Sequence, residues 1–227
     1  MRRFLFLLIF GLGGAGILIW LGVWQVQRLA WKEGMLAQIE SRISDAPVAL
    51  PDTFDPAQDR YMPVATQGAF DGATLRVLIS VKREGPGYRL ITPFETTDAR
   101  RILVDRGWIG VEAPLPSLPQ GRVRVVGNLH WPDEIDSFTP EPDKAGNTWF
   151  AREVSVMAEE LETEPVLLVV REASYPDLGV TPLPVDTAGI PNDHLQYAIT
   201  WFSLAFIWLG MTAFFTMRSS RVATQRP

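Results

Sequence analysis

One histidine of this chain lies where polar sequence gives way to a long apolar segment. His194 follows Asp193, and no charged residue occurs from 195 to 217. On a helix, His194, Tyr197 and Trp201 have i, i+3 and i+7 spacing and therefore share a face. A neutral imidazole at the start of such a helix can ligate haem iron, and the two aromatic rings could line a flat macrocycle.

The same three residues have a second interpretation that the sequence leaves open. A histidine at a membrane interface can simply hydrogen-bond to lipid headgroups or to Asp193. Tyr197 and Trp201 also fit an aromatic belt, which is expected where a helix enters a bilayer. We therefore treat His194, Tyr197 and Trp201 as a predicted cofactor-binding set, with His194 as the predicted ligand of the iron.

The remaining polar residues offer little catalytic chemistry. His130, beside Trp131 and Pro132 at the end of a candidate strand, is expected to be structural. The acidic clusters are expected to be solvated rather than metal-binding; they comprise Glu159, Glu160, Glu162, Glu164, Asp133, Glu134 and Asp136. Arg76 and Arg106 alternate with apolar residues in candidate strands, so we expect them to face water or partners.

The sequence motifs of common enzyme classes are missing. A GxGxxG pattern at Gly11, Gly13 and Gly16 lies in an apolar segment with no strand before it, so its context does not support dinucleotide binding. No GxSxG, HExxH or GxxxxGKS pattern occurs. The chain has no cysteine, which excludes disulfides, thiolate metal sites and covalent CxxCH haem attachment. We expect no catalytic residues and a protein that is not an enzyme.

Two uncharged apolar segments, 4–27 and 195–217, lie near the two ends of the chain. A bilayer core of about 30 Å needs about 20 apolar helical residues, so we predict one transmembrane helix in 1–28 and another in 192–218. The first segment contains four closely spaced glycines: Gly11, Gly13, Gly14 and Gly16. They indicate either a close helix–helix contact or the ordinary tolerance of glycine in membrane helices.

The distribution of charge predicts an orientation in the membrane. The charged residues of the tails are all basic, namely Arg2, Arg3, Arg218, Arg221 and Arg226. Every acidic residue lies between the two apolar segments. The positive-inside rule then places both termini in the cytoplasm, although Arg28 and Lys32 oppose it slightly. The first apolar run is longer than a signal-peptide core and lacks a small-x-small site, which favours a retained anchor. We predict a multi-pass protein of a bacterial inner membrane with a cytoplasmic tail, 219–227.

Between the predicted spans, the spacing of apolar residues changes from a helical period to the alternation of a β-strand. Helical spacing over 29–46 predicts an amphipathic stalk, and alternation of apolar and polar residues within 47–191 predicts a periplasmic β-rich domain. The predicted fold class is an α+β membrane protein. In it, two transmembrane helices bracket an antiparallel β-rich domain that is curled or closed into a small barrel.

Candidate strands and one short helix follow from the local patterns. The candidate strands are 64–70, 74–81, 89–94, 101–109, 122–130, 148–152 and 166–171. A helix is predicted at 154–161, where Val154, Met157 and Leu161 share a face. The proline-rich segment 174–192 is predicted to be irregular, and Asn192 or Asp193 is expected to cap the second span.

Several sequence motifs, in order along the chain, resemble those of a known family. They are LGVWQVQRLAWK at 21–32, GYRLITPF at 87–94, ILVDRGWI at 102–109, NTWF at 147–150 and NDHLQYAITWF at 192–202. With the two apolar segments, they make the chain similar to the surfeit-locus (Surf/Shy-one) family of cytochrome c oxidase assembly factors. The resemblance extends over nearly the whole length.

This resemblance implies a role in maturing an oxidase that contains haem A. Bacterial members would bind haem A transiently and help to deliver it to the large catalytic subunit of the oxidase, with haem A synthase as a further partner. The histidine that matches His194 is the implied haem ligand. The family often has Asn-Asn-His where this chain has Asn192, Asp193 and His194, and the segment 138–142 is less regular than expected.

Three functional hypotheses remain at this stage. The first is a haem A carrier that contacts membrane lipid and an oxidase subunit. The second is a membrane-anchored scaffold that holds an oxidase subunit during assembly without binding haem. The third, an enzyme of haem or lipid chemistry, lacks an obvious general base. The acidic balance of the central domain argues against nucleic-acid binding.

Overall fold

The structure, a computed structural model, describes residues 2–82, 84–176 and 178–224. It contains three helices, α1 (Arg2–Ser44), α2 (Val154–Leu161) and α3 (His194–Thr224). The chain divides into two compact units, one formed by residues 1–38 with 188–227 and the other by residues 39–187. The first unit is a helix pair, and the second is built on a β-sheet.

The two long helices have the length and composition of membrane spans. α1 over Leu5–Ser44 and α3 over His194–Arg218 have mean hydropathies of 2.3 and 1.7 in their apolar windows. The 43 residues of α1 extend about 65 Å at about 1.5 Å per residue, which exceeds a bilayer core. The chain is therefore a membrane protein with an apolar helix towards each end, as the sequence predicts.

Small side chains allow α1 and α3 to pack closely within the helical unit. A Cβ on Gly14 would lie 2.7 Å from the indole of Trp208, and Trp208 Nε1 donates to the carbonyl of Gly11 at 2.9 Å. Gly13 and Gly16 instead face open space. Of the two alternatives for these glycines, a close helix–helix contact is therefore present at Gly11 and Gly14 only.

Eight strands form the sheet of the second unit. They are β1 (Val48–Ala49), β2 (Pro63–Phe70), β3 (Leu75–Val81), β4 (Gly85–Thr96), β5 (Arg101–Gly110), β6 (Val123–Leu129), β7 (Thr148–Trp149) and β8 (Leu167–Ala173). The sheet order is β1-β2-β6-β8-β5-β4-β3-β7, and β2 also pairs with β4. This additional pairing closes β2, β6, β8, β5 and β4 into a five-stranded barrel, the small closed β-structure that the sequence predicts.

Residues of the strands and of α2 form an apolar core of the barrel unit. Ile91, Phe94, Leu103 and Val104 from β4 and β5 are fully buried in it. The buried residues of α2 are Val154, Met157, Ala158 and Leu161, three of which form the face predicted for this helix. Burying an aliphatic side chain of this size stabilises the fold by about 1.5–3 kcal/mol, so a domain without disulfides depends on this core.

The sheet differs from the prediction in being mixed rather than wholly antiparallel. The pairs β1–β2, β3–β7 and β5–β8 are parallel. β8 can run parallel to β5 because the long connection between them, which includes β6 and α2, returns the chain to the same end of the sheet. The predicted strand at 148–152 is shorter, ending at Trp149, and the bounds of the other strands differ by only a few residues.

Candidate functional site

His194 is the first residue of α3, in the helical unit. The backbone N–H of Tyr197 donates to the carbonyl of Asp193 at 3.1 Å, so Asp193 is the capping residue and His194 opens the first turn. The ring of His194 is partly buried. The capped turn therefore holds the imidazole at the polar end of the apolar helix.

A hydrogen bond from α1 orients the imidazole of His194. Nδ1 of His194 lies 2.8 Å from Oε1 of Gln25, whose side chain is buried with only 9% exposure. An amide oxygen can only accept a hydrogen bond, so Nδ1 of the neutral ring must bear the proton. The lone pair of the ring is then on Nε2, which has no hydrogen-bond partner among the described residues.

This donor arrangement fits an axial haem ligand. A metal-bound histidine normally donates its other N–H to a carbonyl or carboxylate, as Nδ1 of His194 does to Gln25. Within the described part of the chain, no group of three or more His, Asp or Glu side chains could hold a metal ion. A haem needs only one axial donor from the protein, because the porphyrin provides the equatorial nitrogens.

The two aromatic residues predicted beside His194 differ in environment. Tyr197 is 54% exposed, whereas Trp201 is partly buried. Trp201 lies seven residues after His194. It belongs to a stripe along α3 whose members are spaced alternately by three and four residues: Ala198, Trp201, Ala205 and Trp208. Ala198 and Ala205 are almost fully buried, so this stripe is the side of α3 that packs. Trp201 therefore occupies a packing position of α3, whereas the exposed ring of Tyr197 is accessible to a ligand.

An apolar groove lies along the helix pair. It has a volume of about 530 Å³ and is lined by Gly14, Ile17, Leu18, Leu204, Ile207, Trp208 and Met211. On α3, Tyr197, Leu204 and Met211 are spaced by seven residues and so point to the same side of the helix. The groove consequently provides apolar surface on the side of α3 that presents Tyr197.

Gln25 is the site residue that the sequence prediction omitted. The sequence contains a pattern that could have identified Gln25. It is the last member of a stripe along α1 whose residues are spaced alternately by four and three: Gly11, Ala15, Leu18, Gly22 and Gln25. Four of these five residues are buried, and Gln25 is the polar one. An amide on a stripe of small and apolar residues indicates a specific hydrogen-bond partner across the helix pair.

His130, the other histidine, is part of the barrel unit. Its ring stacks on Tyr61 with the centroids 5.5 Å apart, and its buried Nδ1 has no hydrogen-bond partner among the described residues. Burial, with Arg152 and Arg60 nearby, lowers the pKa of His130 to about 4, so the ring is neutral near pH 7. This environment agrees with the structural role expected for His130.

Ion pairs account for several acidic residues of the barrel unit. Glu160 pairs with Lys144 at 2.5 Å, and Glu164 pairs with Arg100 at 2.6 Å. Glu134 accepts a hydrogen bond from Nε of Arg152 at 3.0 Å. These carboxylates therefore hold neighbouring segments together.

The expectation that Arg106 faces water or a partner is wrong. Arg106 is only 2% exposed, and its guanidinium lies over the ring of Phe70 and donates to the carbonyl of Ser117 at 3.1 Å. Burial lowers its pKa. Alternation along β5 does not predict solvent contact here, because both faces of this strand are covered. Arg76 is partly exposed and donates to the carbonyls of Gly146 and Asn147.

Comparison with known proteins gives a match that extends over both units of the chain. The sequence profile of the SURF1 family matches residues 13–206, a range that includes most of α1, the whole barrel unit and the start of α3. The chain is 32% identical over 219 residues to a SURF1-like protein of Drosophila melanogaster, which covers 83% of this chain and 71% of the relative.

Two further relatives have names of the same family. Identity is 31% over 216 residues with human Surfeit locus protein 1, covering 83% of this chain and 71% of the relative. It is 29% over 199 residues with a SURF1-like protein of Rickettsia felis, covering 83% of this chain and 87% of the relative.

The fold and the site together define a class of membrane protein. The chain has two apolar helices and a small β-barrel unit. The histidine at the start of one apolar helix is hydrogen-bonded to a glutamine of the other. The chain belongs to the SURF1 family.

Proposed function

We propose that this protein is an assembly factor of a haem A-containing cytochrome c oxidase, and that it carries haem A rather than acting as an enzyme. The observation that carries the proposal is the imidazole of His194, with Nδ1 bonded to Gln25 at 2.8 Å and Nε2 left without a partner among the described residues. Membership of the SURF1 family supports the same role.

Different residues of the helical unit would contact different parts of haem A. Nε2 of His194 would donate its lone pair to the iron, and Tyr197 and Trp201 would contact the macrocycle. The groove beside α3 would offer apolar surface for the rest of the ligand. Bound haem A supplies a redox-active iron that the oxidase later uses, so the carrier itself needs only to hold and orient it.

Release is favoured by the small number of strong ligands. The helical unit contains one histidine and the whole chain has no cysteine, so no thioether bond can fix a haem to the protein. A site with one histidine can transfer its ligand to an acceptor that offers two. We propose that this acceptor is the large catalytic subunit of the oxidase, and that haem A synthase provides the ligand.

The distribution of charge supports a location and an orientation in the membrane. We propose a multi-pass protein of a bacterial inner membrane, with both termini in the cytoplasm and the barrel unit in the periplasm. All charged residues of the tails are basic, which favours this orientation. His194 would then lie at the periplasmic surface of the membrane, where an apolar haem can remain in contact with lipid.

The proposal is tested by purifying the protein from cells that make haem A and measuring haem per chain. We expect haem on the unaltered protein, loss of most of it in His194→Ala, and retention in His130→Gln, which alters the other histidine. Equal haem in the unaltered protein and in His194→Ala would contradict the ligand assignment. Copurification of an oxidase subunit without any haem would favour the scaffold instead.

A further inference from the structure

We infer that Gln25 is a positioning residue of the haem site, which sets the tautomer, the direction and the donor strength of the His194 imidazole. This inference rests on the proposed function. It assigns to α1 a role in ligand binding through a residue that would not touch the haem itself. Gln25 would act only through the hydrogen bond to Nδ1.

The geometry restricts the imidazole in two ways. The 2.8 Å bond requires the proton on Nδ1, so that Nε2 is the free donor atom. The acceptor also limits rotation of the ring, because Gln25 is buried in the packed stripe of α1. Gly22, one turn earlier, packs against the ring of Phe202, which fixes this part of α1 against α3. The direction of Nε2 is therefore set before any ligand arrives.

The chemistry of the acceptor matters for a carrier. A hydrogen bond to a neutral amide makes the imidazole a moderately stronger donor, whereas a carboxylate would give it imidazolate character and a stronger bond to iron. An apolar residue would leave Nδ1 without a partner and free the ring to rotate. Glutamine thus gives a defined ligand of intermediate strength, which suits a site that must also release its ligand.

A purely structural role for Gln25 makes different predictions. Polar side chains in membrane helices often hydrogen-bond across a helix pair, and such a bond can stabilise the pair without any ligand. In that case, substitution would lower the stability of the protein without haem but leave the iron–histidine bond unchanged. The reduction potential and the absorption spectrum of the bound haem separate the two roles, because both depend on the donor strength of the axial ligand.

Three variants of the full chain provide the first test. Gln25→Leu removes the acceptor, Gln25→Glu replaces it with a carboxylate, and Gln27→Leu makes the same change at an exposed position two residues away. We expect haem affinity to fall by about 10-fold or more in Gln25→Leu and to be retained in Gln25→Glu. The reduction potential should fall in Gln25→Glu and rise in Gln25→Leu. Gln27→Leu should match the unaltered protein.

Rescue by small imidazoles tests the hydrogen bond directly. In His194→Gly, added imidazole can restore the axial ligand and donate its N–H to Gln25, but 1-methylimidazole has no N–H to donate. We expect imidazole to restore the haem spectrum at a lower concentration than 1-methylimidazole. This preference should disappear in the double variant His194→Gly, Gln25→Leu.

The outcomes distinguish the inference from the function on which it rests. If His194→Ala keeps its haem, the assignment of His194 as the haem ligand fails, and the role of Gln25 fails with it. If His194→Ala loses haem but Gln25→Leu and Gln25→Glu leave the potential and spectrum unchanged, only the role of Gln25 is overturned. Potentials that move in opposite directions in the two Gln25 variants, with loss of the imidazole preference, support the inference.

Discussion

Gly14 of α1 lies against the indole of Trp208 of α3, so close that a Cβ on Gly14 would be 2.7 Å from Nε1. The same indole nitrogen donates to the carbonyl of Gly11 at 2.9 Å. The indole can lie this close to α1 only because Gly14 has no side chain. It fixes the pairing of α1 and α3 on which the bond between Gln25 and His194 depends.

Substitution of Gly14 should therefore destabilise the helix pair. We expect Gly14→Leu to lower the free energy of unfolding by about 1–3 kcal/mol, the usual cost of overpacking. Thermal unfolding in detergent, followed by circular dichroism, measures the change. Gly13→Leu is the matched control, because nothing lies within 4 Å of a Cβ at Gly13. Equal loss of stability in both variants would contradict the packing described above.

Asp105 is the charged centre of the barrel unit. Its fully buried carboxylate pairs with Arg89 and lies 3.5 Å from Arg152, and it accepts the backbone N–H of Gly107 at 3.0 Å. Removing one partner of a buried ion pair leaves the other charge uncompensated. We expect Asp105→Asn to destabilise the protein by about 3–5 kcal/mol, as measured by denaturant unfolding.

Asp71 provides the matched control for Asp105. Its side chain is 62% exposed and lies 3.6 Å from Arg101. A pair this exposed contributes about 0–1 kcal/mol, so Asp71→Asn should leave the unfolding midpoint nearly unchanged. If the two variants lost stability equally, burial of Asp105 would not be the cause.

His130 should make the stability of the protein depend on pH. Its pKa is lowered to about 4 in the folded state by burial and by Arg152 and Arg60, against about 6.5 when unfolded. Below pH 6.5 the unfolded state takes up a proton that the folded state does not, so stability falls as the pH decreases towards 4 and levels off below it. The loss is on the order of 3 kcal/mol.

The control for this pH dependence is His130→Gln, which has no titrating ring. Its free energy of unfolding should change less between pH 6.5 and pH 4 than that of the unaltered protein. Denaturant unfolding at several pH values measures the difference. Parallel curves for the two proteins would show that other groups cause the pH dependence.

Tyr197 and Trp201 should respond differently to substitution. Tyr197 is 54% exposed, so Tyr197→Ala should weaken haem binding while leaving the thermal stability of the haem-free protein unchanged. Trp201 is partly buried on the packing stripe of α3, so Trp201→Ala should lower both the haem affinity and the thermal stability of the haem-free protein. Haem titration and thermal unfolding of the same samples measure the two effects. Unchanged haem affinity in Tyr197→Ala would remove Tyr197 from the predicted site.

Local patterns in the sequence predict much of this fold. The charge-free segments identify both apolar helices, and the spacing of Val154, Met157 and Leu161 predicts α2 with its exact bounds. Alternation identifies most strands, because each has a face towards the core. The expectation that α3 starts after Asn192 or Asp193 is confirmed, because the helix begins at His194.

Pairings between distant segments are not predicted by local patterns. The parallel pair of β5 with β8 depends on a connection of more than fifty residues, and the bond of Gln25 to His194 joins positions 169 residues apart. Burial of Arg106 depends on the segment that covers β5, including Ser117. Each of these is determined by tertiary packing, which the spacing of neighbouring residues does not encode.

The most direct test of the central proposal is to detect the bond between iron and His194. In His130→Gln, purified without a histidine tag, His194 is the sole histidine, so ¹⁵N-labelled histidine labels only this side chain. Resonance Raman spectra of the ferrous haem complex should contain an iron–histidine stretching band that shifts with ¹⁵N and is absent in the double variant with His194→Ala. A band that does not shift, or that persists without His194, would contradict the proposal that His194 holds the haem.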